Sequence, residues 1–110
     1  MSHDHNSDSH HIMKIVEILQ RQWTMHVLCE MRKGAARFGQ FKRSIPHASK
    51  KGLTASPRAL ESAKIVVRRD LSSSVHHVEY EIADTLREPL TNLLSCLEHS
   101  TSLLSHVRHI

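Results

Sequence analysis

Hydrophobic side chains near the start of the chain recur at helical spacing. Positions three or four apart share one face of a helix, so the spacing predicts a first helix over residues 12–20. The apolar members of this stripe are Ile12, Ile15, Val16 and Leu19. The residues before them are rich in Ser, Asp and His and lack apolar periodicity, which predicts a disordered arm over residues 1–11.

Three more helical segments follow. The second has the apolar stripe Trp23, Val27, Leu28 and Met31. Lys33 and Gly34 form a typical helix end, a cation followed by a glycine. The third segment is short and is stopped by Pro46, and the fourth, over residues 50–63, has Ser49 as its predicted N-cap.

The periodicity then changes from helical to alternating, which predicts a β-hairpin. Residues 65–71 are rich in β-branched side chains, and residues 78–82 alternate apolar and polar positions. The segment between the strands, residues 72–77, forms the predicted wing. A helix-turn-helix followed by a two-stranded hairpin is the winged helix-turn-helix arrangement. The predicted fold is therefore mainly α with a small β-hairpin and a long C-terminal helix, in one domain over residues 12–110.

The predicted last helix is longer than a small domain needs for its own core. Its apolar spacing from Leu86 onward indicates about 20 residues, or roughly 30 Å. Pro89 is placed in its first turn, where proline is tolerated. Part of its stripe is expected to meet a second copy of the chain, giving a homodimer; the alternative is that it folds back over its own domain.

Charge is distributed unevenly. Residues 32–69, the basic block, carry eleven Lys or Arg and a single acid, Glu61, whereas the other 72 residues carry four basic and ten acidic side chains. Such a concentration within a periodic segment indicates a surface for a polyanion, and double-stranded DNA is the expected partner. The alternative interpretation is a solvated basic face.

The predicted interface has the fourth helix in the major groove and the wing on the adjacent groove or backbone. Cations of the third helix are expected to contact phosphates. The predicted DNA-binding residues are Arg37, Lys42, Arg43, Ser49, Lys50, Lys51, Thr54, Ser56, Arg58, Arg68, Arg69, His76 and His77, with Ala55 beside them. The alternative function is a winged-helix protein-interaction module without specific DNA binding.

Other classes of function are not favoured. The eleven histidines lack ligand spacing, so neither a metal nor another cofactor is expected, and the absence of a nucleophile–base constellation argues against an enzyme. Two separated cysteines and the lack of an apolar spanning segment predict a cytoplasmic protein without membrane association. The four aromatic residues, Trp23, Phe38, Phe41 and Tyr80, are expected in the core; alternatively Trp23 or Tyr80 lines a pocket for an unidentified small-molecule effector.

An ordered set of residues resembles the HxlR-type family of bacterial winged-helix regulators. It includes Gln22-Trp23-Thr24, the run Arg37–Pro46, and Val78-Glu79-Tyr80 in the return strand. The resemblance implies a homodimeric transcription factor, usually a repressor, that reads a palindromic operator. Family dimers pair through the first and last helices, which implies an interface containing Ile12, Ile15, Val16, Leu19, Leu90, Leu93, Leu97 and Leu104.

Three departures from the family pattern carry expectations. Pro57 stands where the family has an apolar side chain, so the fourth helix either starts late or contains an interior proline. A glycine that the family has near Lys64 is absent, so the turn there is expected either to be made differently or to be strained. Redox-sensing members have a cysteine before the first helix, where this chain has Ser9-His10-His11, so that role is not carried over.

Overall fold

The computed structural model describes residues 4–71 and 78–106. Within these residues the chain is mainly helical, with one small antiparallel sheet, as predicted. The elements in chain order are α1 (Asp4–Leu19), α2 (Thr24–Met31), β1 (Ala36–Arg37), α3 (Phe38–Ser44), α4 (Lys50–Ser62), β2 (Val66–Asp70), β3 (Val78–Ile82) and α5 (Asp84–His106). The predicted wing, residues 72–77, lies outside the described residues.

The first helix is longer than predicted. Because α1 begins at Asp4, the prediction of a disordered arm is wrong for residues 4–11, which are helical. These eight positions contain neither glycine nor proline. Once a helix is nucleated, each further residue adds one backbone hydrogen bond, so the apolar stripe of residues 12–19 can extend N-terminally through a polar segment.

The sheet has a third strand that the pattern did not predict. The strand order is β1–β3–β2, all antiparallel, with Ala36 opposite Tyr80 and Val66 opposite Ile82. β1 has only two residues, which is too short for an alternating pattern to be recognised. Because β1 runs directly into α3, its pairing fixes where α3 starts.

The core lies between α2, α3, α4 and the inner face of the sheet. Its fully buried members include Val27, Leu28, Met31, Phe41, Leu53, Leu60 and Ile82. Phe41 and Tyr80 are buried as predicted, whereas Trp23 is half-buried. The prediction is wrong for Phe38, which is 38% exposed because it is the first residue of α3 and lies at the edge of the core.

The fourth helix begins where the sequence predicts. The Ser49 hydroxyl accepts a hydrogen bond from the Gly52 N–H at 3.0 Å, which satisfies one unpaired donor of the first turn. Since α4 starts at Lys50, the late start considered for Pro57 is wrong, and the proline lies inside the helix. Its ring is fully buried, and it supplies no N–H for the carbonyl of Leu53.

The last helix packs on its own domain through two residues of the predicted apolar stripe and one residue outside it. Leu86 and Leu90 are partly buried against the core, and Leu94 is 4% exposed. Pro89 is the sixth residue of α5, so its predicted first-turn position is wrong. Arg32 donates two hydrogen bonds to the Glu98 carboxylate, at 3.1 and 3.2 Å, which ties α5 to the end of α2.

These bonds lower the pKa of the Glu98 carboxyl, because the guanidinium favours its charged form.

Although α5 is 23 residues long, neither it nor any other helix in the described ranges has the apolar length that a bilayer crossing requires.

Helix α4 ends in a left-handed turn made by a lysine. Lys64 has a φ of 66° and is the position near which the family has a glycine. The Ile65 N–H donates to the Leu60 carbonyl and the Lys64 N–H to the Glu61 carbonyl, both at 2.9 Å. This is the Schellman pattern, in which glycine usually occupies the left-handed position. Of the two alternatives, the strained turn is the one present.

Replacing Lys64 with Gly should stabilise the protein. A side chain in the left-handed region costs about 1–2 kcal/mol, and part of that is offset by the larger entropy of glycine in the unfolded chain. We expect the free energy of unfolding to rise by about 1 kcal/mol, measured by urea denaturation at fixed protein concentration. Lys64→Ala removes the same charge but keeps the backbone strain, so equal stability of the two variants would contradict the prediction.

Candidate nucleic-acid interface

One side of α4 is exposed, and the opposite side is buried. Leu53, Pro57 and Leu60 lie in the core. The exposed stripe of α4 consists of Lys50, Lys51, Thr54, Ala55 and Arg58. Because these positions are one and four residues apart, they form a continuous surface along the first two turns and into the third. This stripe contains three cations and no acid.

The cations of this stripe are available to an external anion. None of the ion pairs found within residues 4–71 and 78–106 involves Lys50, Lys51 or Arg58. The hydroxyl of Thr54, between them, donates to the Lys50 carbonyl at 2.8 Å and keeps its acceptor lone pairs. The surface therefore combines fixed positive charge with one small polar group, a combination suited to phosphates and base edges.

Ser56 is not part of this surface, contrary to the prediction. It is 5% exposed, and its hydroxyl lies 2.9 Å from the carbonyl oxygens of both Gln22 and Gly52, to either of which it can donate. Helical geometry explains the difference, because position 56 lies three residues after Leu53 and four before Leu60, on the inward face. Ser56 thus fixes α4 to the loop between α1 and α2.

The same loop approaches α4 at its first turn. Trp23, the residue before α2, has a left-handed backbone with a φ of 69°. Its indole ring lies against Gly52, where an added Cβ would come within 2.8 Å of the Trp23 Cδ1. The rings of His26 and His47 meet the indole edge-on, with centroids 5.4 and 5.1 Å away. The glycine is therefore needed for this close contact.

The three cations in and next to α3 differ in their contacts. Arg43 is exposed and has no ion pair among the described residues. The exposed Lys42 ammonium donates to the carbonyls of Pro46 and Ala48 at 3.1 and 2.9 Å, and these bonds hold the turn between α3 and α4. Arg37 is the N-cap of α3, and its backbone N–H donates to the side-chain oxygen of Gln40 at 2.9 Å.

The cations of the hairpin are paired within the sheet. Arg69 forms ion pairs with Glu81 and, at 3.8 Å, with Glu79, the residue opposite it in the register. Glu79 also lies 3.7 Å from the Arg37 guanidinium, and Arg68 lies 3.5 Å from Asp70. The net charge of the basic block does not include these carboxylates, because they lie outside residues 32–69. The predicted contacts His76 and His77 fall in the wing, outside the described residues.

A cleft of about 790 Å³ opens between α3, α4 and the sheet. Five cations lie around it: Arg37, Arg43, Lys50, Arg58 and Arg68. Tyr80, one of the two residues considered for an effector pocket, lines this cleft, and Trp23 does not. The cleft adjoins the exposed stripe of α4, since Lys50, Thr54 and Arg58 border both.

The predicted dimer residues divide into two groups. Six are exposed by between 38% and 58%: Ile12, Ile15, Val16, Leu93, Leu97 and Leu104. Leu19 is buried and Leu90 is partly buried, and both pack against the core of their own subunit. Met13 and Leu103 are also exposed, at 55% and 56%, although the predicted interface omitted them.

The described parts of the chain hold no group of three or more His, Cys, Asp or Glu side chains arranged to bind a metal ion.

Comparison with known proteins places these features in a family. The family described as HxlR-like helix-turn-helix matches residues 18–105. Two curated relatives are named as uncharacterized HTH-type transcriptional regulators: sll1512 of Synechocystis sp., 35% identical over 77 residues, and YvaP of Bacillus subtilis, 25% identical over 71 residues. The matched segments cover 70% and 64% of this chain but 57% and 66% of the relatives, so the chain spans less than two thirds of their length.

Solved structures share the fold. The redox regulator HypR in its reduced form superposes with a TM-score of 0.70 at 23% identity, covering 86% of this chain and 97% of that protein. At this identity the likeness shows the fold alone. Together with the family match, it confirms a winged helix-turn-helix with a long C-terminal helix.

Two glycines offer a test of how α4 is held. Alanine raises helix propensity by up to about 1 kcal/mol over glycine. At Gly39, an added Cβ would meet only the Arg43 guanidinium at 3.6 Å, so Gly39→Ala should raise the free energy of unfolding. Gly52→Ala should lower it, by about 1–3 kcal/mol, because the Trp23 ring must move. Thermal denaturation of both variants measures the difference, and stabilisation by Gly52→Ala would show that this contact does not fix α4.

Proposed function

This chain belongs to the HxlR-like helix-turn-helix family, and from that premise we propose that it is a transcriptional regulator that binds double-stranded DNA as a homodimer. The observation that carries the proposal is the exposed stripe of α4. An α-helix fits the major groove, and its N-terminal residues reach the base edges. Lys50, Lys51 and Thr54 occupy the first turns, and Arg58 follows one turn later.

Positioning and specificity are assigned to different side chains. Arg43 on α3 and Lys51 on α4 contact backbone phosphates, which fix the orientation of the protein without reading sequence. Thr54 and Arg58 read bases, with Arg58 able to bind a guanine by two hydrogen bonds. Arg69 contributes less to DNA binding than an unpaired cation would, because Glu79 and Glu81 neutralise it.

Dimerisation is supported by two exposed apolar surfaces. On α1, Ile12 and Ile15 are 58% and 52% exposed, and on α5, Leu97 and Leu104 are 45% and 48% exposed. Large contiguous apolar patches on a small domain usually mark a site of association. A second copy covers them, in a twofold arrangement that presents two α4 helices to successive major grooves.

A twofold dimer implies a palindromic operator with half-sites separated by about 34–36 Å, one turn of DNA. Repression is the activity expected from the family resemblance, since occupation of an operator can by itself block transcription. DNA as the partner implies a cytoplasmic location in a bacterial cell.

Selection from a random pool of duplexes tests the proposal directly. We expect the recovered sequences to converge on an inverted repeat with the half-site spacing of one helical turn. Transcription in vitro from a template carrying that repeat should then fall when the protein is added. Absence of any enrichment would refute sequence-specific binding, and increased transcription would refute repression.

The affinity for duplex DNA should depend on salt through the cations of α4. Each phosphate neutralised contributes about 0.9 to the slope of log affinity against log salt. Lys51→Gln should therefore weaken binding to all sequences and reduce the slope by about 0.9. Fluorescence anisotropy of a labelled duplex across a salt series measures both.

Lys33→Gln is the matched control. It removes one exposed cation of the basic block, next to Arg32, whose guanidinium pairs with Glu98 of α5 and not with the α4 surface. We expect its salt slope to equal that of the unmodified protein. Equal slopes for all three proteins would contradict the assignment of Lys51 to a phosphate.

The assembly is tested by a charge placed on the apolar surface of α5. Leu97→Glu should convert the dimer to a monomer, because burying an unpaired carboxylate costs several kcal/mol. Leu71→Glu is the control, since Leu71 is 47% exposed, close to the 45% of Leu97, and is not on α5. Sedimentation equilibrium without DNA measures the masses. A Leu97→Glu variant that remains dimeric would mean that α5 does not form the interface.

A further inference from the structure

We propose that Glu79 and Glu81 are specificity-determining residues: they neutralise the arginines on the outer face of the sheet and thereby confine DNA to the exposed stripe of α4. The inference rests on the proposed function of α4. The outer face is the side of the sheet turned away from the core, and on β2 and β3 it consists of Val67, Arg69, Glu79 and Glu81.

Alternation along the strands places these side chains on one face. Successive side chains of a strand point to opposite faces of a sheet. Tyr80 is buried in the core, so the neighbouring Glu79 and Glu81 point away from it. In the register of the hairpin, Arg69 lies opposite Glu79. Val67 lies opposite Glu81 and is exposed, as expected for the face that the core does not cover.

Each of the two acids lies between two arginines. The Glu79 carboxylate is 3.8 Å from the Arg69 guanidinium and 3.7 Å from that of Arg37. The Glu81 carboxylate pairs with Arg69 and lies 3.5 Å from Arg87 on α5. The ion pairs therefore form one continuous chain across the three strands and onto α5, in which three guanidiniums share two carboxylates.

The two carboxylates are partly shielded from solvent. The side chains of Glu79 and Glu81 are 17% and 23% exposed. Salt screens partly buried charge pairs less than pairs that are fully in water. The neutralisation of the outer face therefore persists at the ionic strength at which DNA is bound.

The neighbouring arginine on the inner face is held differently. Arg68 lines the cleft beside α4, and its Nε is buried without a hydrogen-bond partner among the described residues. The carboxylate that pairs with it, on Asp70, is 62% exposed. Neither Arg69 nor the acids that hold it line the cleft. The shielded acids thus lie on the face that α4 does not share.

This distribution of charge favours binding through α4 over binding through the sheet. Nonspecific binding to DNA is almost entirely electrostatic and does not require a helix in the groove. Unpaired arginines on the outer face would hold the DNA backbone in an orientation in which α4 does not reach the bases. Specificity is a difference between two affinities, so weakening this competing orientation raises specificity without any new contact to the operator.

A purely structural role for the two acids makes a different prediction. If the ion pairs serve only to hold the hairpin and α5 together, their loss lowers stability and leaves the affinity for random-sequence DNA unchanged. The affinity for random-sequence DNA therefore separates the two roles.

The test compares the full chain with the double variant Glu79→Gln/Glu81→Gln, which keeps the side-chain shape and removes both charges. Fluorescence anisotropy measures binding to the selected operator duplex and to a random-sequence duplex across a salt series. We expect the affinity for the random duplex to rise at least about tenfold at about 0.1 M salt, and its salt slope to rise by about 0.9 for each phosphate gained. The operator affinity should change less than about twofold, so discrimination falls about tenfold.

Glu17→Gln/Glu88→Gln is the matched control. Both residues are exposed and have no ion pair among the described residues, and the change in net charge is the same. We expect its affinity for the random duplex to stay within about twofold of that of the unmodified protein, because the removed charges neutralise no arginine. Adding Arg69→Gln to the Glu79→Gln/Glu81→Gln variant should lower its salt slope again by about 0.9.

An equal rise for the operator and the random duplex would overturn the proposal, since the freed arginines would then contact the same DNA as α4. An unchanged affinity for the random duplex, or an equal rise in the control, would also overturn it. If the double variant does not fold, Glu81→Gln, which leaves Arg87 without its carboxylate, is compared with Glu88→Gln in the same way.

Failure of the unmodified protein to bind any duplex would instead refute the proposed function. The salt concentration that elutes each variant from immobilised heparin, a linear polyanion, then decides whether the acids shield the outer face. Later elution of the Glu79→Gln/Glu81→Gln variant than of its control would support the shielding, and equal elution would overturn it.

Discussion

The position of α4 depends on its one-sided burial. Leu53, Pro57 and Leu60 hold the inward face in the core, and the close contact between Gly52 and the Trp23 indole fixes the first turn. Because successive side chains leave a helix at fixed angles, these contacts also determine which side chains point outward. The exposed cations are thus a geometric consequence of the apolar contacts on the other side.

Backbone strain on either side of α4 belongs to the same constraint. Trp23, which packs on the first turn, and Lys64, which ends the helix, both adopt left-handed conformations that favour glycine. Such strain persists only where the surrounding structure determines the conformation. At Lys64 the determinant is the pair of hydrogen bonds from residues 64 and 65 to the last turn of α4, and at Trp23 it is the packing of the indole ring.

The elements whose pattern repeats over several residues could be predicted from the sequence. Features that depend on a single tertiary contact could not. The helices, the hairpin and the Ser49 cap follow from periodicity and local chemistry. β1 has two residues and exists because β3 offers it a partner. Ser56 and Thr54 are chemically similar. Only the spacing of Ser56 from the buried Leu53 and Leu60 shows that Ser56 lies on the inward face of α4. The ion pair between Arg69 and Glu79 could have been predicted from the register of the hairpin, which places Glu79 opposite Arg69.

Pro57 links the helix to the cleft. The family has an apolar side chain at this position. In this chain the compact proline ring stands there, and because proline has no N–H, the Leu53 carbonyl lacks its helical hydrogen-bond partner. An interior proline costs about 3 kcal/mol relative to alanine, so some feature of the fold must accommodate it. The ring lines the cleft beside Leu53 and Arg58. The ring is also fully buried in the core, and this packing offsets part of that cost.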